Sequence, residues 1–581
     1  MATVTTTPER PDRIRSSRLR LSGRTFLFSS LLLMVAFLVL TPLTLIFINS
    51  FYESETVGAR AVFSLEGWKS ALTSPGIRQS LINTLTLTLA RQSIALVMAI
   101  FFVWLITRTN IPGRRWLEFG FWMVFFMPTL PILLGWVLLL HPSYGYLNDL
   151  VLRLPFVNSP PFNIYSWWGI VWVHLLTGTV AIKVVLLAPA FRNMDSALEE
   201  ASRISGASVL GTLWRVVVPI MLPAILVVTL MSAVISLQAF EIELALGGRA
   251  GVDVFSTIIW KFVKLDPAYP GRAAALSILV LAVMVPFVLL QYRFIGKRNY
   301  ATVTGQYQVN LTRLRRLRWP AFSVVMLFIM MATVLPLAFL VTGTFMKLFG
   351  FFGLPNGSFT TEHWTRVVTD PIFSASVKNT LVLGGSAALL GAAWFSIIAY
   401  VIVRTRFRFR MLLDFISWVP WALPGVLLGL GMLWMVLSIP IFRPLHTSTF
   451  VLVMAVTLGT ITVGVQMFRT TFIQIGQDIE EAARISGGSW LHAYRHVLLP
   501  IMAPTVVTVA LVTFVAAVRD ISRIVLLAGS NNRPLSLLQL DLIRDESLEA
   551  AAVVGVVITV ITVGVAIVAQ VVASRISIRR R

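Results

Sequence analysis

Residues 199–219 read EEASRISGASVLGTLWRVVVP, and residues 480–500 read EEAARISGGSWLHAYRHVLLP. The second stretch begins 281 positions after the first, in a chain of 581 residues. Each stretch opens with two acidic residues, continues to a glycine (Gly206 or Gly487) and ends at a proline. A polar sequence that occurs once in each half of a hydrophobic chain predicts two docking surfaces that lie outside the membrane.

The composition places the chain among integral membrane proteins, since 57% of its residues are hydrophobic and 13% are charged. Its apolar runs are continuous rather than alternating, which favours spanning helices over a barrel. About twelve runs are long enough to cross roughly 30 Å of hydrocarbon. We expect an all-α membrane protein whose spans lie near residues 26–48, 80–106, 117–140, 166–190, 219–240, 273–294, 320–345, 378–402, 411–438, 448–469, 500–518 and 549–573.

The repetition extends beyond the two polar stretches. Residues matched at an offset of 296 include Trp68 and Trp364, Pro75 and Pro371, Asn83 and Asn379, Arg108 and Arg404, and Pro128 and Pro424. Because the offset falls to 281 at the polar stretches, the first half carries about fifteen extra residues. We place them in the external loop 141–165, opposite the short loop 439–449. Two parallel six-helix halves predict a pseudo-twofold axis along the membrane normal.

The distribution of positive charge predicts the orientation. Most of the 48 Lys and Arg residues lie on the side that carries the two polar stretches, which places that side and both termini in the cytoplasm. The net charge of +23 fits anchoring to anionic lipid, so we expect no nucleic-acid partner. The predicted units are a cytoplasmic tail at 1–25, a first half at 26–294, a basic linker at 295–319, a second half at 320–573 and a basic cytoplasmic tail at 574–581.

Each polar stretch predicts a short helix, a glycine turn and a second amphipathic helix. Acidic residues stand at the start of the first helix, where the helix dipole favours them. Gly206 and Gly487 then permit a tight or left-handed turn. A surface loop with good caps has no reason to keep the acid, glycine and proline spacing in both halves, so we favour a docking role.

This spacing resembles the cytoplasmic signature of binding-protein-dependent ABC importer permeases, which is Glu-Ala-Ala, three residues, Gly, nine residues and Ile-x-Leu-Pro. The resemblance implies a type I importer permease fold and a coupling helix at each motif. It also implies two copies of an ATP-binding subunit that receive those helices, and a periplasmic or extracellular solute-binding protein. The implied coupling residues are Glu200, Ala201, Gly206, Pro219, Glu481, Ala482, Gly487 and Pro500.

The chain has no G-x-x-x-x-G-K-[ST] phosphate loop, so we expect no enzymatic activity of its own. ATP and Mg²⁺ would be used by the partner subunit, and this chain would bind no cofactor and no metal. The expected location is a bacterial inner membrane. An ion-coupled secondary transporter is the alternative from another class, but it would need no repeated cytoplasmic stretch and would bury coupling acids within its spans.

Charged residues near the membrane interior are candidates for the pathway or its gate: Arg91, Glu241, Glu243, Arg519, Asp520 and Arg523. An interfacial salt-bridge cluster is the competing interpretation for most of them. Arg91 has Ala387 as its repeat partner and so marks an asymmetry. Residues 240–247 look most similar to ferric-iron-type permeases, whereas Ser522 stands where that group would have proline. Thiamine, aminoethylphosphonate and polyamines therefore remain alternative substrates.

Overall fold

The computed structural model describes residues 23–53, 61–264, 268–296, 311–350 and 359–578, and these are almost entirely helical. Most of the predicted tail 1–25, the middle of the linker 295–319 and the last residues of the tail 574–581 lie outside the described residues. Two short strands, β1 (Tyr52–Glu53) and β2 (Val62–Phe63), pair antiparallel, with Tyr52 opposite Phe63.

Helices of the first half follow one another along the chain with few long connections. They are α1 (Gly23–Asn49), α2 (Glu66–Thr73), α3 (Pro75–Arg108), α4 (Arg114–Phe126), α5 (Thr129–Leu140), α6 (Tyr146–Leu152), α7 (Trp167–His174), α8 (Val180–Arg192), α9 (Ala197–Ile204), α10 (Val209–Thr212), α11 (Val218–Leu237), α12 (Glu241–Ala250), α13 (Phe255–Lys264) and α14 (Pro270–Gly296). Short π-helical turns at Leu175–Thr179 and Leu213–Val217 join α7 to α8 and α10 to α11.

The second half repeats this order. Its helices are α15 (Arg318–Ile329), α16 (Leu335–Gly343), α17 (Glu362–Thr369), α18 (Pro371–Arg404), α19 (Arg410–Trp418), α20 (Gly425–Ser438), α21 (Thr449–Gln474), α22 (Gln477–Ile485), α23 (Trp490–His492), α24 (Leu499–Ile501), α25 (Ala503–Arg519), α26 (Leu535–Arg544) and α27 (Leu548–Ile578). Single 3₁₀ turns occupy Arg315–Leu317, Val419–Ala422 and Pro440–Leu445, and π turns occupy Met330–Val334 and Ala493–Leu498.

The spans agree with the predicted runs in position, and the count of twelve is approximate. Among the described residues, 8 helices are long and apolar enough to cross a membrane, or up to 11 if each bent pair forms one span. The sixth predicted run coincides with α14, whose part Pro270–Pro286 is a shorter apolar helix. Each predicted run therefore has a helix or a bent pair at its place.

Two predicted spans, 117–140 and 411–438, are bent by more than 90°, which the hydropathy pattern did not indicate. The helices α4 and α5 meet at 98°, and the arms Arg410–Ala422 and Gly425–Ser438 meet at 112°. Pro128 and Pro424 stand directly at these breaks. Proline has no N–H to continue the helical ladder, and it forces the residue before it towards an extended conformation.

Matched residues in the two halves make matched contacts. Trp68 Nε1 donates to Ser50 Oγ at 3.3 Å, and Trp364 Nε1 donates to Thr344 Oγ1 at 3.0 Å. Two asparagines also bond alike, since Asn83 Nδ2 donates to Asp253 O at 2.9 Å and Asn379 Nδ2 donates to Asn531 O at 3.0 Å. The internal repeat read from the sequence is thus a repeat of tertiary contacts.

The halves interlock through their first spans. Helix α1 packs along α20 of the second half, and α16 packs along α5 of the first. Both crossings place a glycine against a proline. A Cβ atom on Gly135 would lie 2.0 Å from Pro336 O, and one on Gly431 would lie 2.7 Å from Pro42 Cβ. Only glycine allows the backbones to approach this closely.

The loop at 141–165 contains an ordered helix, α6, where the second half has the 3₁₀ turn Pro440–Leu445. The side chain of Asn148 holds the loop together, since its Nδ2 donates to His141 O at 2.9 Å and to Phe162 O at 2.8 Å. The His141 ring stacks on Tyr144 with centroids 3.5 Å apart. Burial, with the nearby Arg249 guanidinium, lowers the pKa of His141 to about 4, so this stack stays uncharged at neutral pH.

We predict that Gly135→Ala destabilises the protein by about 1–3 kcal/mol, the usual cost of overpacking a tight contact. The added methyl group would overlap the Pro336 carbonyl, and the backbone cannot move aside cheaply. The measurement is the thermal unfolding midpoint in detergent. Gly385→Ala is the control, because nothing lies within 4 Å of a Cβ there. Equal midpoints for the two variants would contradict the crossing.

Candidate functional site

The two polar stretches adopt the same local structure. Helices α9 and α22 are each followed by a glycine with positive φ, 85° at Gly206 and 86° at Gly487. A serine then caps the next helix: the Oγ of Ser208 and that of Ser489 each accept a backbone N–H three residues on, at 3.0 and 3.2 Å. Glycine avoids the steric cost of the left-handed turn, and the serine satisfies an otherwise unpaired donor.

Helices α9 and α22 each end in an exposed isoleucine. Ile204 is 87% exposed and Ile485 is 86% exposed, and they are matched positions of the repeat. Arg203 and Arg484 precede them and are exposed as well. A large apolar side chain that is held in water twice, at the same place in both halves, indicates a contact surface for a partner.

The structure divides the acidic pairs into one buried and one exposed member. Glu199 is buried, and its Oε1 lies 3.1 Å from Arg108 Nε. Glu480 is also buried and accepts a hydrogen bond from Tyr400 Oη at 2.8 Å. Glu200, by contrast, is exposed, and so is its repeat partner.

The second acid of each pair, Glu200 or Glu481, is the one named among the coupling residues from the sequence. The first acid has a different task, which is to tie the short helix to the body of its own half. The sequence of the motif does not show which acid is buried and which is exposed. Arg108 was a sequence signal for the buried acid of the first half only, because its repeat partner Arg404 donates to the carbonyls of Phe472 and Ile475 and not to Glu480.

The remaining coupling positions are distributed around this surface. Ala201 and Ala482 are exposed on the short helices, and Pro219 and Pro500 are exposed at the start of the following apolar helices. His492 and His496 stack with ring centroids 4.4 Å apart and are exposed. Among the described residues, no group of three or more His, Cys, Asp or Glu side chains could hold a metal ion.

The six predicted pathway residues form two separate sites. The first lies within the first half, where Arg91 Nη1 is 2.9 Å from Glu243 Oε1. His174 Nε2 is 2.8 Å from the same oxygen. The second Arg91 amino group donates to Ser236 O and, at 3.3 Å, to Thr88 Oγ1. This arrangement completes the charge pairing of an arginine that is only 1% exposed.

The site around Arg91 has no counterpart in the second half. Ala387, the matched residue, is buried among apolar neighbours. No sequence motif marks His174, because its partners Arg91 and Glu243 lie 83 and 69 residues away along the chain. Next to it the span breaks at Gly178, where φ is 126°. One turn further on, the buried Lys183 Nζ donates to Thr179 O at 3.2 Å.

The second site lies where the two halves meet. Asp520 Oδ2 pairs with Arg523, and its Oδ1 accepts the Arg523 backbone N–H at 3.0 Å. Arg519 Nη1 donates to Phe125 O of the first half at 3.0 Å. Glu241 and Arg519 together line a cavity of about 10 Å³, which also touches Ser536 and Gln539. A space of this size suits about one water molecule, so these residues pack closely where the two halves meet.

Comparison with known proteins accounts for the fold and the repeated motif. Residues 392–578 match the family model described as the inner membrane component of binding-protein-dependent transport systems. A protein of Sinorhizobium fredii named a probable ABC transporter permease is 27% identical over 84% of this chain and 85% of its own length. The chain carries this inner membrane component in residues 392–578 and is similar to ABC transporter permeases over most of its length. It is a multi-pass inner-membrane permease with its two halves fused.

Further similarities concern relatives of known cargo. A ferric transport system permease of Actinobacillus pleuropneumoniae is 23% identical to this permease over 92% of this chain and 76% of its own length. A solved bacterial ABC transporter that imports the acidic polysaccharide alginate is similar at 19% identity with a TM-score of 0.39, over 48% of this chain and 98% of that one.

We predict that Arg91→Leu destabilises the permease by about 3–5 kcal/mol, because it leaves the Glu243 carboxylate buried without its main counter-charge. The double variant Arg91→Leu with Glu243→Leu should be less destabilised than the single one, since both charges are then gone. Thermal unfolding in detergent measures both.

Arg153→Leu is the control, since the Arg153–Asp149 pair is exposed to solvent and should contribute little. If the double variant unfolds at a lower temperature than Arg91→Leu, the ion pair with Glu243 is not the interaction through which Arg91 stabilises the permease.

Proposed function

We propose that this permease imports ferric iron as part of an ATP-driven transporter. The observation that carries the proposal is the likeness to a ferric transport permease across both halves of the chain. The sequence at residues 240–247, which resembles ferric-iron-type permeases, supports it locally. Selectivity would lie largely with a periplasmic solute-binding protein, in keeping with the lack of a three-ligand metal site among the described residues.

The two polar stretches would be the coupling helices. Ile204 and Ile485 would enter a groove on each of two ATP-binding subunits, and the exposed carboxylates of Glu200 and Glu481 would pair with basic groups at its rim. Apolar side chains at the centre of an interface supply most of its affinity, whereas charges at the rim contribute mainly to specificity. The glycine turns would fix the angle of each coupling helix to the apolar helix behind it.

Closure of the ATP-binding subunits would then draw the coupling helices together and rock the two halves. The buried anchors make this transmission rigid. The Arg108–Glu199 pair joins α9 to the end of α3, and the Tyr400–Glu480 bond joins α22 to α18. A push on either coupling helix would therefore move a complete half rather than bend a loop.

Contacts at one end of the spans support the predicted sides. The start of α1 meets the second coupling region, where the rings of Phe28 and Trp490 are 6.1 Å apart. Asn110 N donates to Thr312 O at 3.2 Å, which ties the end of the linker to the loop after α3. Trp490, Asn110 and Thr312 were placed in the cytoplasm from the charge distribution, and Phe28 lies at the start of the first predicted span, next to the predicted cytoplasmic tail. We therefore propose that both termini lie in the cytoplasm.

We predict that Ile204→Asp with Ile485→Asp abolishes co-purification with the ATP-binding subunit and stops uptake. A charge at the centre of the interface would have to be desolvated without a partner. Pull-down of the tagged ATP-binding subunit measures the assembly. Phe156→Asp is the control, because this side chain is 77% exposed on the loop predicted to be external. Normal assembly of the double variant would contradict the coupling assignment.

The cargo can be tested with the assembled transporter in proteoliposomes. With its solute-binding protein present, we expect uptake of radiolabelled ferric iron that stops when ATP is left out. Thiamine, aminoethylphosphonate and spermidine serve as competing cargoes in the same assay. Uptake of one of these instead of iron would overturn the iron proposal and keep the importer. Uptake that is driven by an ion gradient without ATP would favour a secondary transporter.

A further inference from the structure

Two side chains cross between the halves at matched positions. Gln238 Nε2 donates to Trp421 O at 3.0 Å, and Arg519 Nη1 donates to Phe125 O at 3.0 Å. Gln238 and Arg519 are separated by 281 positions, the offset of the polar stretches, and the two carbonyls are separated by 296, the offset of the earlier repeats. The pair of bonds therefore obeys the pseudo-twofold symmetry although its donors differ in chemistry.

The acceptors are carbonyls at the bends of two spans. In a continuous helix Phe125 O would accept the N–H four residues on, but Met127 is extended, with ψ at 137°. Trp421 O loses its helical partner in the same way, because Leu423 is extended, with ψ at 124°. A backbone carbonyl without a partner is costly inside a membrane. Each bend is therefore completed by a side chain that belongs to the opposite half.

The donors stand at the ends of helices that begin at the coupling regions. Gln238 directly follows α11, and Arg519 is the last residue of α25. Helix α11 has 20 residues and so a length of about 30 Å. A displacement at the first coupling region would reach its cross-half bond through one helix, and a displacement at the second would pass a 77° bend before it reaches α25.

The two bonds differ in strength. The Arg519 bond is charge-assisted, and the guanidinium lies 6.0 Å from the Phe125 ring centroid. The Gln238 bond is between neutral groups. The acidic residues Glu241 and Asp520 lie near the arginine and balance its charge, since Glu241 lines the same small cavity and Asp520 is the next residue.

From this geometry we infer that Gln238 and Arg519 form a cross-half latch. The latch holds the halves together at their bent spans and must be released for the pathway to open outward. Its part in transport rests on the proposed function, whereas its effect on the separation of the halves does not. Gln238 and Arg519 are positioning residues that act through the backbone of the opposite half.

The test measures the distance between the halves in the permease alone. The chain contains no cysteine, so spin labels can be attached at Leu72→Cys and Val368→Cys without other changes. These positions are matched in the repeat, lie on α2 and α17, and are 67% and 53% exposed. Pulsed electron resonance then gives the populations of closed and separated halves.

Gln238→Leu and Arg519→Met remove the donors and keep the side-chain bulk. We expect Gln238→Leu to raise the ratio of separated to closed molecules about five-fold, the factor that corresponds to one neutral hydrogen bond of ordinary net strength. Arg519→Met should raise it by about ten-fold or more, because its bond is charge-assisted. The double variant should exceed either single one. Arg519→Lys keeps a charged donor and should return the ratio towards that of the parent.

Gln92→Leu is the matched control. Gln92 Nε2 donates to Ser232 O at 2.9 Å within the first half, so its loss removes a buried glutamine bond without touching the interface between halves. Folded latch variants that keep the parental distances would overturn the latch, as would a Gln92→Leu variant that separates the halves equally. If the latch variants change the distance between the labels but the permease does not transport iron, the latch is supported and only the proposal of iron as cargo is overturned.

Discussion

Close backbone crossings between the halves set the positions of everything else in this permease. Gly135 lies against Pro336, and Gly431 lies against Pro42, so that the first span of each half rests on the bent span of the other. Lipid supplies little hydrophobic drive for helix association, and close packing at small residues takes its place. Because each half supplies one glycine and one proline, neither half completes its own packing alone.

The crossing depends in turn on the bends at Pro128 and Pro424. A bend frees backbone carbonyls, and hydrocarbon offers them no hydrogen bond. The permease satisfies the carbonyls of Phe125 and Trp421 with side chains from the opposite half. The bent spans therefore take part both in the packing between the halves and in the hydrogen bonding between them.

One pair of matched glycines departs from the pseudo-symmetry in its backbone conformation. Gly178 and Gly459 are matched at an offset of 281. The first has a φ of 126° and breaks its span. The second lies in the continuous helix α21, where a Cβ would approach Arg523 Nε to 2.1 Å. One half uses its glycine to bend the helix, and the other uses it to admit an arginine side chain.

The sequence by itself determined the membrane class, the duplication and the two repeated polar stretches with their glycine turns. These depend on composition, hydropathy and spacing, which are local properties of the chain. The tertiary structure alone decided which acid of each pair is anchored, that Arg91 pairs with Glu243 and His174, and that Gln238 and Arg519 reach the opposite half. Such partners lie tens to hundreds of residues apart, and only the packing of the bent spans brings them within hydrogen-bonding distance.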